Sequence, residues 1–201
     1  MSDELREPVL AWHFLLEGGV TRDGQTVTVG SRLHVDPPLV LCERGLHASH
    51  RIIDALRYAP GPVVCRVRMS GEIVDGLDKL VATDREVVAM TDATNVLHEF
   101  ACVVAEEALR KAGATDERLW NAIATKRRWL ARDATYTELS AALEAANTDW
   151  GAAKAASAAA RETAWEAAWW AACWATKVAA SAGVERSRQD AILTRMVEEA
   201  L

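Results

Sequence analysis

The sequence predicts an α+β protein, with a small mixed β-sheet domain carrying one or two helices over residues 1–94, then an all-α bundle or coiled coil over residues 95–201. Short apolar segments bounded by glycine and proline are confined to the first half of the chain. In the second half, apolar residues recur every three or four positions, which is the period of a helix. That half also contains an alanine-rich segment with most of the eight tryptophans.

Strands of the first half are predicted where apolar residues alternate with polar ones or stand between turn signals. The predicted strands cover residues 9–16, 26–29, 39–42 and 63–69, a brief one between Gly71 and Gly76, and at least one within 80–89. Ser49 is a suitable N-cap for a helix that runs to Tyr58, and the following Pro-Gly-Pro segment ends that helix.

The second half is predicted to be helical throughout. The predicted helices cover residues 95–111, 115–131, 135–181 and 184–201, with Gly113 as a C′ residue and Gly183 closing the long third helix. The long helix carries a seven-residue repeat of apolar and small residues, in which only Ser157 is clearly polar. The positions of this seam are Leu139, Leu143, Ala146, Trp150, Ala153, Ser157, Ala160, Ala164, Ala167, Ala171, Trp174 and Val178.

The seam predicts that two helix axes approach closely, since small side chains leave little between them. The pair Trp165 and Trp169 and the pair Trp170 and Trp174 lie on two further faces, which one neighbouring helix cannot cover together. We expect a homo-oligomer formed through residues 136–178. Packing within the chain against residues 95–131 and 184–201 is the alternative, and a membrane-surface helix is a third interpretation, disfavoured by the lack of a basic polar face.

The composition of the chain indicates which binding partners and which cellular compartment to expect. The formal net charge of −6 disfavours a broad nucleic-acid-binding face, and the basic cluster 126–128 is too short to change this. Four scattered cysteines without a CxxC pair indicate a reducing compartment rather than a disulfide framework. The acidic first residues lack an apolar signal core, and the longest apolar run is too short for a membrane span. We therefore expect a cytoplasmic protein that binds neither nucleic acid nor membrane.

The polar segment CERGLHASHRI, residues 42–52, suggests chemistry. Cys42, His47 and His50 are of the right types for a metal site, but their spacing is not a recognised ligand spacing, so no metal is predicted. No GxSxG elbow accompanies them, and Cys42 is most simply a small buried hydrophobe. The preferred interpretation is a strand-to-helix turn with Arg44 and His47 at its lip.

Three short motifs resemble the core of the ADP-ribosyltransferase superfamily over roughly residues 9–90. They are Ala11-Trp12-His13 on a first strand, Gly45-Leu46-His47-Ala48-Ser49 running into a helix, and a strand at 63–69 followed by Gly71. The resemblance implies that NAD, or a related nucleotide such as ADP-ribose, lies in a cleft of this domain as ligand or substrate. RNA 2′-phosphotransferases share this core with basic residues in place of the usual glutamate, but the acidic net charge disfavours RNA.

The resemblance also implies roles for individual residues. His13 would bind the ribose of NAD, His47 would be the catalytic-motif residue beside nicotinamide, and Ser49 would form a polar wall, with Arg44 at the lip. The third-motif residue would be Glu86, stabilising an oxocarbenium-like transition state, or its neighbour Arg85. If Arg85 rather than Glu86 points into the cleft, phosphate binding is expected in place of NAD cleavage.

The strings CERGLHAS, ALRYAPG, GPVVCRV and DKLVATDRE, followed by an alanine- and tryptophan-rich helical tail, resemble a domain of unknown function common in phage and actinobacterial proteins. This resemblance covers nearly the whole chain and implies a task inside an infected host cell. We expect an accessory protein that binds a nucleotide-like ligand in its N-terminal cleft, with transferase activity as an extension. The alternative is a non-enzymatic protein that binds or sequesters a partner through an oligomeric helical region and so antagonises host defence.

Overall fold

The computed structural model describes residues 7–146, 151–159, 161 and 163–201. The chain divides into two compact units, Met1–Ala93 with Ala200–Leu201, and Thr94–Glu199. A five-stranded sheet forms the first unit and helices form the second, which confirms the predicted α+β class. None of the described helices is both long enough and apolar enough to cross a membrane.

The sheet unit contains strands β1 (Val9–Leu15), β2 (Arg32–His34), β3 (Leu46–Ala48), β4 (Val63–Asp75) and β5 (Leu80–Asp92), one short helix α1 (Ile52–Leu56) and a 3₁₀ helix (Glu17–Gly19). Every strand pair named here is antiparallel, so the prediction of a mixed sheet is wrong. The reason is the connection at residues 76–79, which joins β4 to β5 as a hairpin and is too short for the crossover that parallel strands need.

The strand order is β1-β4-β5-β2, and β3 also pairs with β5. Directly after β3, Ser49 exchanges two backbone hydrogen bonds with Trp12 of β1, at N···O distances of 2.7 and 2.9 Å. The β3 segment therefore connects β5 to β1. Two register shifts along β4 and β5, at Arg66/Val67 and Ser70/Ile73, bend this long ribbon.

Several strand boundaries differ from the sequence expectations. Residues 26–29 and 39–42 form turns and isolated bridges rather than strands, whereas the predicted segments at 63–69 and 71–76 merge into the single strand β4. The strand β2 was not predicted, because three residues with one apolar side chain carry no detectable period. Helix α1 begins after Arg51 instead of at a Ser49 cap.

The helical unit contains α2 (Thr94–Lys111), α3 (Glu117–Leu130), α4 (Tyr136–Ala146), α5 (Gly151–Ala159), α6 (Ala164–Val178) and α7 (Ala182–Glu198). The prediction of one continuous helix over 135–181 is wrong, since α6 begins anew after Thr163, whose backbone is extended. Gly183 lies inside α7 instead of ending the preceding helix, while Gly113 has the positive φ expected of a C′ residue. The seam positions Trp150 and Ala160, and the side chain of Ala153, lie outside the described residues.

Alanine allows close packing inside this unit. Helices α5 and α6 pack on each other and both pack on α2, and the seam alanines Ala167 and Ala171 are fully buried within the one chain. On the same helix, Trp170 remains 42% exposed. Packing within the chain thus accounts for the alanine positions of α6, and the homo-oligomer through residues 136–178 stays a prediction.

Candidate functional site

A cleft of about 670 Å³ opens in the sheet unit, lined by residues of β1, β3 and β5 and by the loops at 21–25 and 42–47. Four of the six predicted site residues line it together: His13, His47, Ser49 and Arg85. The strand pairing explains the convergence, since β3 lies between β5 and β1 and brings His47 and Ser49 to the other two side chains.

The other two predicted residues lie outside the lining of this cleft. The Arg44 guanidinium donates to the carbonyl oxygen of Asp36 at 3.1 Å and is solvent-exposed. The Glu86 carboxylate is held by Arg32 at 3.2 Å and by Arg68 at 2.7 Å. Successive residues of a strand point to opposite faces of the sheet, so only one of Arg85 and Glu86 can face the cleft.

The register shows that Arg85 and His13 project from the buried face. Across β4, Arg85 lies opposite Met69 and His13 lies opposite Cys65, and both of these β4 residues are fully buried. Glu86 lies opposite the exposed Arg68. Arg85, not Glu86, is therefore the third-motif residue that reaches the cleft.

Arg85 is a buried guanidinium without a carboxylate partner. Its side chain is 6% exposed, Nη1 donates to the carbonyl oxygen of His47 at 3.1 Å, and Nε has no hydrogen-bond partner. No ion pair joins it to an aspartate or glutamate among the described residues, although the charge of Asp23 in the same cleft favours the charged guanidinium. Burial lowers the pKa of Arg85 to about 10, so the group remains charged at neutral pH.

His47 holds the loop at 42–47 in place. Its Nε2 accepts the backbone N–H of Cys42 at 2.9 Å, so Nδ1 carries the proton and donates to the carbonyl oxygen of Gly45 at 3.0 Å. Burial lowers the pKa of His47, and Lys79 and Arg85 lower it further against the opposing Gly45 bond. Both ring nitrogens are thus occupied, which gives His47 a structural role in the neutral form.

Position 45, in the same motif, requires glycine for a steric reason. Gly45 adopts φ +124°, and a Cβ atom there would lie 2.3 Å from Cγ2 of Val81 and 2.8 Å from Cδ2 of Leu39. Only glycine accommodates both the conformation and the contact. In the Gly-Leu-His motif, the glycine therefore allows the loop to pack against β5, and the histidine holds the loop through hydrogen bonds to its backbone.

His13 faces the cleft in the neutral form. Its pKa lies well below the usual histidine value, first because of burial and then because of the charges of Arg85 and His47. Ser49 beside it is buried, and its backbone pairs with β1. These two residues form the inner wall.

Sequence reasoning missed several rim residues. The Lys79 ammonium lies 4.2 Å from the centroid of the Tyr58 ring, and interaction with the Cys42 side chain raises the pKa of Lys79. Cys42 is exposed at this rim, which corrects the expectation of a small buried hydrophobe. His34 bonds through Nδ1 to Asp84 at 2.7 Å, and this bond raises the pKa of His34. The polar residues around these positions form no sequence pattern that distinguishes the rim of a cleft from a solvent-exposed loop.

Fixed positive charge predominates in the cleft. Its lining contains Arg22, Lys79 and Arg85 against the two carboxylates of Asp23 and Glu43. This excess occurs in a chain with a formal net charge of −6, so it is a local feature. A concave site with an excess of one sign of charge attracts ligands of the opposite sign.

The described residues contain no group of three or more His, Cys, Asp or Glu side chains placed to hold a metal ion. His50, the third residue of the considered metal set, bonds through Nε2 to Asp75 at 2.9 Å. Both ring nitrogens of His47 are already used by the backbone. The arrangement instead provides one buried cation, a neutral histidine next to it and a basic rim, which is chemistry suited to an anion.

No protein-family model, curated protein or solved structure matches this chain. The resemblances to the ADP-ribosyltransferase core and to the phage and actinobacterial domain therefore stay predictions. The residues of the cleft are the basis for assigning a function.

Proposed function

We propose that the cleft binds an anionic, nucleotide-like small molecule and that Arg85 holds one of its phosphate groups. The observation that carries the proposal is the buried, charged Arg85 side chain, which forms no ion pair with a carboxylate of the described residues. A charge taken out of water is costly unless it is paired. A protein that retains such a charge at the base of a cleft is suited to a ligand that supplies the counter-ion.

The guanidinium retains donors for this task. Its hydrogen bond to the His47 carbonyl uses Nη1, and the Nε–H is unpartnered. Arginine forms bidentate hydrogen bonds with phosphate through a planar fork of N–H groups, and such charge-assisted bonds are stronger than neutral ones. Lys79 and Arg22 add positive charge to the walls of the same cleft.

The size of the cleft also supports a nucleotide-like ligand. Pockets for small molecules and cofactors span about 300–1,000 Å³. At about 670 Å³, the cleft falls inside that range and exceeds what an isolated phosphate needs. ADP-ribose and NAD, the ligands that the superfamily resemblance implies, belong to the class of suitable compounds.

The proposal is for binding rather than for cleavage of NAD. Cleavage as the resemblance implies it needs a carboxylate against the oxocarbenium-like sugar, and Glu86 is ion-paired with Arg32 and Arg68 outside the cleft lining. His47 is engaged by the backbone through both nitrogens. The site therefore supports retention of a ligand, such as sequestration of a nucleotide signal.

The test is calorimetric titration of the full chain with ADP-ribose, NAD and sodium sulfate. We expect saturable binding of ADP-ribose that weakens about tenfold or more in Arg85→Met, because a hydrogen bond to a charged group contributes about 1.5–3 kcal/mol. Arg68→Met is the matched control, since Arg68 is a β4 arginine paired with Glu86 outside the cleft. Equal affinity in wild type and Arg85→Met would refute the assignment.

Chromatography of the NAD mixture distinguishes binding from turnover. We expect NAD to remain intact after prolonged incubation with wild-type protein. Release of nicotinamide that is lost in Arg85→Met would show that the cleft is catalytic and that binding alone is an incomplete description.

A further inference from the structure

His13 and Arg85 line the same cleft beside β3. Arg85 Nη1 donates to the carbonyl oxygen of His47 at 3.1 Å, and His13 follows Trp12, which pairs with Ser49 directly after β3. His13 lies opposite Cys65 of β4 and Arg85 lies opposite Met69, so both side chains project from the same face of the sheet. A nucleotide-sized ligand that fills this cleft therefore contacts both the Arg85 guanidinium and the His13 ring.

The charged and titratable groups around His13 are few. Arg85 of β5, His47 of β3 and the more distant Arg22 act on it, and all three disfavour the imidazolium. Asp23, on the same loop as Arg22, lines the cleft. On β4 the neighbour is Cys65, a buried thiol whose pKa is raised to about 12, and on α1 the nearest acid, Asp54, is paired with Arg51. In the ligand-free cleft His13 is consequently neutral.

An anion bound beside Arg85 makes the surroundings of His13 favour the protonated form of its imidazole. Its charge offsets that of the guanidinium and adds an attractive partner for a protonated ring, and an opposite charge within about 4–6 Å favours the charged form of a titratable group. By linkage, a ligand that prefers the protonated form of His13 must drive proton uptake when it binds.

We propose that His13 takes up one proton from solvent as an anion docks beside Arg85, so that the occupied cleft holds its ligand with two adjacent cations. This inference rests on the proposed anion-binding function. It identifies His13 as a ligand-contacting donor and narrows the ligand class to compounds with neighbouring anionic oxygens, such as a pyrophosphate bridge. One N–H bond forms on the imidazole as the buffer acid or water gives up its proton, and no bond of the ligand is formed or broken.

The experiment is calorimetry with ADP-ribose at about pH 7, where an unperturbed histidine is mostly neutral. The phosphodiester oxygens of ADP-ribose stay ionised near this pH, so the probe itself exchanges no proton. Titrations in Tris and in bis-Tris, which carry no oxyanion, differ in buffer ionisation heat, and the dependence of the observed heat on the buffer gives the number of protons taken up. We expect uptake approaching one proton per bound ligand.

Two variants distinguish a direct role from a structural one. His13→Gln is expected to bind more weakly with no proton uptake, whereas His50→Gln, which removes an exposed histidine outside the cleft lining, is expected to retain full uptake. As a second measurement on the wild type, the imidazole nitrogen resonances of His13 should move from the neutral to the protonated pattern at saturation. This readout does not depend on a variant that folds.

Each outcome has a distinct meaning. ADP-ribose binding without proton uptake, or with a His13 ring that stays neutral at saturation, would overturn this inference and leave the proposed function standing. Uptake that persists in His13→Gln would also overturn it. Absence of binding at any ligand concentration tested would overturn the proposed function, and the inference would fail with it.

Discussion

Replacing Arg85 with methionine should stabilise the ligand-free protein while weakening its affinity for the ligand. Methionine retains an unbranched apolar stem of similar reach and removes the charge. An ordinary substitution in a buried position destabilises a protein, by about 1 kcal/mol on average. The opposite sign is expected here because Arg85 is 6% exposed and its guanidinium has no carboxylate partner among the described residues.

The magnitude follows from the lowered pKa of Arg85. Burial lowers this pKa to about 10, and the difference from an unperturbed guanidinium corresponds to about 3 kcal/mol at about 1.4 kcal/mol per pKa unit. At neutral pH the folded and unfolded states are both protonated, so the folded state bears this cost in full. Losing the bond between the charged guanidinium and the His47 carbonyl offsets about 1.5 kcal/mol of the gain. The net stabilisation expected is therefore about 1.5 kcal/mol.

Hydrogen exchange followed by mass spectrometry is the appropriate assay, because it reports on the sheet unit separately. Seven of the eight tryptophans lie in the second half of the chain, so fluorescence would report mainly on the helices. Amides of β5 should gain protection by roughly tenfold in Arg85→Met, since 1.4 kcal/mol is a factor of ten. With ADP-ribose at about a hundred times the wild-type Kd, the wild type should gain about 2.7 kcal/mol, and the variant, which binds at least about tenfold more weakly, should gain about 1.4 kcal/mol or less.

The control variant is Arg68→Met, which removes an arginine whose side chain is 46% exposed and paired with Glu86. Exposed ion pairs contribute about 0–1 kcal/mol, so protection of β5 should change little. If Arg85→Met lowers protection of β5 as a typical core substitution would, the guanidinium is paired or hydrated in the free protein. The reasoning from an uncompensated charge would then be wrong.

Four further predictions concern other parts of the molecule. Gly45→Ala should destabilise the sheet unit by more than about 2 kcal/mol and abolish ligand binding, because its Cβ would collide with β5. Cys42 should be the first of the four cysteines alkylated by iodoacetamide, and ADP-ribose should slow that reaction. Ala167→Leu should destabilise the helical unit by about 1–3 kcal/mol in urea titrations followed by tryptophan fluorescence, since the site is fully buried. The raised pKa of His34 should stabilise the fold below about pH 6.5 and cease to do so as the pH rises through the folded-state pKa.

Each of these has a control or a contradicting result. Gly30→Ala changes another glycine of positive φ with open space around it, so it should cost only backbone strain. Preferential alkylation of the buried Cys102 would contradict the assigned exposure. Ala141→Leu, on the exposed side of α4, should be tolerated where Ala167→Leu is not. Identical pH dependence of stability in wild type and His34→Gln would show that the His34 contacts contribute nothing.

The division into sheet and helices could be predicted from the sequence because apolar residues repeat every 2 residues in strands and every 3.6 residues in helices. It did not predict the break before α6, since an alanine-rich segment satisfies many helical registers and contains no proline to mark an end. The turn at 39–42 reads as a strand because four apolar residues follow one another there. Its actual shape depends on tertiary contacts, including the Gly45 loop against Leu39.

The sequence predicted the candidate site only in part, because tertiary contacts decide which side chains face the cleft. His13, His47, Ser49 and Arg85 were named from short motifs and do line one cleft. The choice between Arg85 and Glu86 depends on strand register, which is set by pairing with β4 and cannot be read from adjacent residues alone. The engagement of His47 by two backbone groups follows from the loop conformation, and no sequence period encodes it.

The most direct test of the account is a crystal structure of the wild-type protein soaked with sodium selenate, in which selenium is located by its anomalous scattering. We predict a selenium peak in the cleft with selenate oxygens within hydrogen-bond distance of the Arg85 guanidinium, and no such peak in crystals of Arg85→Met. A cleft that stays free of selenate while the anion occupies surface arginines such as Arg32 or Arg68 would contradict the claim that Arg85 is built to receive an anion.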